Sequence, residues 1–199
     1  MQPERDRLVK ASAGIKGPAV NSPKTQPPNT NADEAAISSI PLQMIEAWIK
    51  GSGEDFAAPF TESADFVAFE GTHLKGRQEI ASFHQRIFDT VVKGTRLVEG
   101  EVKFVRFLSP QLAVMHAAVR VMLPGQADPS PGRDSIQIFV VTKREEAWRV
   151  EAVQNSRKLT LERQLFLDDF DSLPAAGQRQ VADLIASLKQ AAQSSAFHR

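Results

Sequence analysis

The run ADFVAFEGTHLKGRQEIASFHQRIFDTVVKG (64–94) changes its periodicity midway, and that change decides the fold. ADFVAF (64–69) reads as a strand closed by Glu70 and Gly71, with Asp65, Val67 and Phe69 on one face. From Gly76 to Val92 the apolar residues fall at helical spacing instead. Ile80, Phe83, His84, Ile87, Phe88 and Val91 share one stripe, and Gly94 marks its end. An imidazole on that stripe has to face whatever the helix packs against.

Downstream, the pattern returns to strands: TRLVEGEVKFVRFL (95–108), a Ser109–Pro110 turn, QLAVMHAAVRVML (111–123), a loop rich in proline and glycine, DSIQIFVVTK (134–143) and AWRVEAVQN (147–155). Short returns between sequential strands make an antiparallel sheet. Upstream, Ile37, Ile40, Met44 and Trp48 lie on one face of a helix over 33–50, with Asp33 as its cap and Gly51 as its stop. Pro41 lacks an N–H and is expected to kink that helix or mark its true start. A short helical turn is expected at 53–60. Helices first and a strand meander afterwards predict an α+β fold in which helices cover one face of a curved sheet. Two further helical patterns, 159–173 and 178–190, are separated by Pro174 and Gly177. Val181, Leu184, Ile185 and Leu188 give the second an apolar stripe that must dock on the domain or on another copy.

The domain reading is a tail over 1–32, a core domain over 33–158 and a helical extension over 159–199. Residues 1–32 hold five of the 12 prolines and no aromatic residue, too little apolar surface to offset ordering entropy, and are read as disordered. The 199-residue chain has 24 Lys+Arg, 24 Asp+Glu and a net charge of +0, so no global field draws nucleic acid or an anionic membrane to it. With Cys 0 and Tyr 0, disulfides, thiolate metal sites, Cys nucleophiles and phenolic proton donors are excluded. No run approaches a membrane span, and the start LVKASAGIKGPAV (8–20) is too interrupted for a secretory signal, so the expected compartment is the cytoplasm. The four histidines, at 73, 84, 116 and 198, show no metal-ligand spacing. GIKGPAVNS (14–22) has neither the glycine spacing nor the preceding strand of a dinucleotide site, and no P-loop or GxSxG turn occurs. No metal and no cofactor is expected.

AWIKGSGEDFAAPFTESADFVAFEGTHLKGRQEIASFHQRIFD (47–89) and WRVEAVQNSR (148–157), at their spacing in the chain, resemble the SnoaL-like, nuclear-transport-factor-two-like superfamily, most closely its SgcJ/EcaC group. The resemblance covers about 33–158. It implies a cone: a strongly bent sheet wrapped around a long helix, with a pocket between them, commonly in a homodimer built sheet to sheet. Isomerases, cyclases, dehydratases, hydroxylase-like proteins and non-catalytic association domains share that architecture, so the fold does not fix the function.

His84 is the first candidate for chemistry, since burial would keep its imidazole neutral and able to accept a proton, with an activity inflection between pH 5 and 8. The alternative is a core histidine satisfied by one partner. Asp65 could line the pocket and orient His84, or sit at an exposed strand end. His116 and Arg120 share one face of their strand, pointing together into the cone or at a dimer surface. Gln137 and Gln154 interrupt apolar strands and would pair with each other or line the pocket. Asn155 takes the opposite face from Gln154 unless a bulge turns it inward. Trp48 and Phe69 are core aromatics that can double as pocket wall. Two functions stay open: a small-molecule-binding or association module, which the missing nucleophile, metal and cofactor motifs favour, and a cofactor-independent acid/base enzyme using His84 with Asp65 or Gln154. The expected partners are a small carbonyl-bearing or ring-containing ligand and a second copy of the chain, whose interface would cover Arg149 and Glu151, with neither nucleic acid nor membrane.

Overall fold

In the computed structural model, which describes residues 30–129 and 132–196, the helical stripe and the strands form one packed layer pair. Helix α1 (Thr30–Lys50) buries Ile37, Ile40, Met44 and Ala47 and passes through Pro41 without ending. Of the residues read as a tail, 1–29 lie outside the described residues, while 30–32 are the first turn of this helix. Asp33 is therefore inside the helix rather than its cap. Its carboxylate accepts from Trp148 Nε1 (2.9 Å) and pairs with Lys143 Nζ (3.0 Å), tying α1 to the far strands. Those two contacts, Trp148's first, hold the Asp33 carboxyl below the usual carboxylate range.

Helix α2 (Gly53–Ala57) is capped by Ser52, whose hydroxyl accepts from the Asp55 N–H. Strand β1 (Phe60–Val67) follows, then β2 (His73–Lys75), three residues too short to show a pattern in sequence. Helix α3 (Arg77–Asp89) buries Ile80, His84 and Phe88. It ends before Val91, which is 81% exposed and is no part of the buried stripe.

Strands β3 (Arg96–Ser109), β4 (Leu112–Met122), β5 (Ser135–Arg144) and β6 (Ala147–Arg157) form the expected antiparallel meander. The six-stranded order is β2-β1-β6-β5-β4-β3, and β1 runs parallel to β6, a non-local pairing that local sequence patterns do not announce. Three register shifts along β3 bend the sheet over α1. At the first, Glu99 adopts a φ of 57°, and the bare backbone of Gly100 lets the Ile45 side chain of α1 settle on the strand; a Cβ there would lie 2.5 Å from Ile45 Cδ1.

The described residues divide into two units, one ending at Lys158 and the other starting at Leu159. In the second, α4 (Leu161–Asp171) is capped by the Thr160 hydroxyl, and Gln178 of α5 (Ala175–Ala196) donates to the carbonyls of Phe170, Asp171 and Leu173. Among the described residues, no helix is long and apolar enough to cross a membrane.

Candidate functional site

Between the helices and the concave sheet lies a cavity of about 310 Å³. Pro41, Met44, Ile45 and Trp48 of α1 make one wall, and Trp48 is held by its indole N–H donating to Thr95 Oγ1 (3.0 Å). Phe56, Phe83 and Ile87 close the floor beside His84, and the inner face of β4 to β6 makes the opposite wall.

His84 is 3% exposed. Phe56 stacks on its ring at 3.8 Å and 24°, and Phe66 meets it edge-on at 5.1 Å. Nδ1 lies 2.7 Å from the Ile80 carbonyl, which can only accept, so Nδ1 carries the proton and Nε2 the lone pair. No protein group engages Nε2 among the described residues. Burial among phenyl rings pushes the imidazole down to about 4 against the opposing pull of the Ile80 carbonyl, so it is neutral at pH 7.

The sheet wall depends on one irregularity. Inward residues on β6 begin as Trp148 and Val150, and strict alternation would continue with Ala152 and Gln154. A bulge opposite Val140 and Val141 takes up an extra residue at Glu151, whose carboxylate accepts from Thr61, Thr142 and Arg144. Beyond it Val153, Asn155 and Arg157 face the cavity side, and Gln154 turns out, donating only to the neighbouring Asn155 carbonyl. Across the strands Gln137 lies opposite Asn155 and Ser135 opposite Arg157, so a polar ladder runs up an otherwise apolar wall. Asn155 Oδ1 is buried without a hydrogen-bond partner, and the side-chain amide of Gln137 finds none among the described residues.

Of the residues expected at the site, Trp48, Phe69, His84, Gln137 and Asn155 line this cavity. Phe69 stands beyond the end of β1, at the mouth. Asp65 does not reach His84: Ala64 and Phe66 take the inward face of β1, so Asp65 points out and binds His73 Nε2 at 2.7 Å. His116 and Arg120 also point out, because Ala113, Met115, Ala117 and Val119 fill the inner face of β4. Arg120 pairs with Glu99 (3.1 Å) and Asp134 (3.5 Å) there. Gln154 pairs with neither Gln137 nor the cavity. His198 lies outside the described residues. Sequence reading missed Ser135, Arg133 and Arg157; the strand pattern could have found Ser135, two residues before Gln137, but Arg157 depends on the bulge. Among the described residues, no three His, Asp or Glu side chains gather to hold a metal.

No protein-family model and no curated protein matches the chain. Among solved structures, a domain of unknown function with a cystatin-like fold from Nostoc punctiforme is 66% identical, with a TM-score of 0.75 over 81% of this chain and 99% of that one. A nuclear-transport-factor-two-like protein of unknown function from Shewanella oneidensis is 15% identical with a TM-score of 0.52, covering 61% of this chain and 97% of its own. A candidate scytalone dehydratase from Novosphingobium aromaticivorans is 17% identical with a TM-score of 0.51, covering 63% of this chain and 83% of its own. The last two share the fold alone. With 66% identity to the Nostoc domain across 99% of its length, this chain belongs to the family of that domain and shares its cystatin-like fold.

Proposed function

We propose that the cone is a binding module for a small, flat, mostly apolar molecule that carries a hydrogen-bond donor. The observation that carries this reading is the buried Asn155 Oδ1, left without a hydrogen-bond partner on the wall of an apolar cavity that the His84 ring also lines, with no protein group on its Nε2 among the described residues. Buried polar groups are ordinarily satisfied, so a ligand or water is their natural complement. The motifs in 47–89 and 148–157 support placing the chain beside the SgcJ/EcaC group. A homodimer formed through the outer face of the sheet completes the proposal. Calorimetric titration with a flat phenol such as 2-naphthol is expected to show one saturable site. Val121→Trp, which fills the cavity from its sheet wall, should remove it while circular dichroism stays unchanged. Binding that survives this substitution would locate the ligand elsewhere and overturn the reading.

A catalytic reading has one observation in its favour, the neutral His84 base set among phenyl rings at the cavity wall. It lacks the orienting carboxylate that proton transfer was expected to use, because Asp65 is committed to His73 on the outer face. Were the site catalytic, the rate would inflect near the depressed value of about 4, not between pH 5 and 8. Ligand affinity that falls in His84→Ala, with no turnover by the unaltered protein, favours the binding module.

A further inference from the structure

The cavity is chemically lopsided. Its helix wall is apolar, whereas its sheet wall rises from Gln137 and Asn155 through Ser135 to two arginines at the mouth, Arg133 and Arg157. Both arginines are exposed, and neither is ion-paired among the described residues. The guanidinium of Arg157 lies 4.3 Å from the centre of the Phe69 ring, a cation–π contact that spreads the side chain across the opening while leaving its N–H groups unused. The nearest acid in sequence, Asp134, points to the other face of the sheet and binds Arg120. Glu70 also lines the mouth, so two guanidinium groups face one carboxylate and the rim carries a net positive charge.

Resting on the binding reading above, we propose that the cavity selects an anionic amphiphile: an aromatic body with a hydroxyl donor at its inner end and a carboxylate at its outer end, held by Arg157 and Arg133. The groups match in order. His84 Nε2 and Asn155 Oδ1 can only accept, and so ask for a hydroxyl or N–H at the inner end. The arginines can only donate, and their planar fork fits a carboxylate. Phe69 both presents Arg157 and offers its exposed edge to the ligand's ring.

The test compares two probes of the same shape, 6-hydroxy-2-naphthoate and its methyl ester, by calorimetry on the full chain at neutral pH. A charge-assisted pair at a half-open rim should make the acid bind at least about tenfold tighter than the ester. Raising the salt to about 0.5 M should shrink that ratio, since the rim is solvent-exposed. In the Arg133→Gln/Arg157→Gln double variant the ratio is expected to fall to about one. Equal binding of acid and ester by the unaltered protein would overturn anion selection and leave the binding module standing. A preference for the acid that persists in the double variant would overturn the assignment to these arginines. Failure of both probes to bind at millimolar concentration would remove the binding module as well.

Discussion

Burial keeps the His84 imidazole neutral at pH 7 against the pull of the Ile80 carbonyl, and that neutrality has a cost at low pH. The unfolded chain takes up a proton near the ordinary histidine value of 6.5, but the folded chain only near 4, because the charged ring would sit among phenyl groups. Between those values the unfolded state binds more protons, so acid favours unfolding. The contribution is fully present above pH 6.5, declines through the window and levels off below pH 4. Over the whole window it amounts to about 3 kcal/mol. Urea unfolding of His84→Leu should therefore show about 2–3 kcal/mol less loss between pH 7 and pH 4.5 than the unaltered protein. Parallel losses in the two proteins would mean that His84 is not the buried neutral group. The position of this residue was legible because Ile80, His84 and Phe88 fall on one helical stripe. Asp33 was misread from an equally local cue: its partners Trp148 and Lys143 are more than a hundred residues away, so only the tertiary structure could separate a cap from a buried anchor.

At the level of elements, strand and helix positions were readable within a few residues wherever burial imposes a period, as on α3 and β3 to β6. What periodicity could not convey were its interruptions. The bulge at Glu151 moves Asn155 and Arg157 to the cavity side and Gln154 away from it, and its cause is a set of contacts from β1 and β5 that no local window contains. The parallel pairing of β1 with β6 is hidden for the same reason. The β5–β6 hairpin carries a visible conflict. Its two-residue turn places Glu145 and Glu146 at φ of 50° and 63°, the left-handed region that Asn-Gly occupies with little strain. Glu145→Asn/Glu146→Gly should raise stability by about 1 kcal/mol, read as a higher urea midpoint at unchanged m-value. The lost pairing of Glu146 with Lys143 is a solvent-screened contact and offsets only part of that gain. A lower midpoint would show that the turn is held by those glutamates and not strained by them.

For the molecule as a whole, the residues turned away from the cavity form a second surface. Across the outer face of β3 to β6, Phe104, His116, Ile138 and Gln154 lie in one continuous row, with Phe104 against His116 at 5.3 Å. The adjoining rows add Val114, Val140 and Ala152 on one side and Ala118 and Ile136 on the other, while Arg106, Glu101 and Arg120 stand towards the edge. Phe104 and Ile138 are about half exposed, 47% and 48%. An apolar centre within a charged border is the composition of an interface, and the outer face of a sheet can cover itself by two-fold symmetry. The homodimer is accordingly expected to have this face as its centre, with His116 and Ile138 near the axis and Arg149 and Glu151 farther from it. Light scattering at tens of micromolar should give twice the 21.9 kDa chain mass. Ile138→Glu should return it to one chain mass, because each copy would bury a carboxylate against the other's apolar row, and burying an unpaired charge costs several kcal/mol. Far-ultraviolet circular dichroism of the variant should stay unchanged, since the side chain points away from the core. A single-chain mass for the unaltered protein would refute the dimer, and a dimer that tolerates Ile138→Glu would move the interface to another surface.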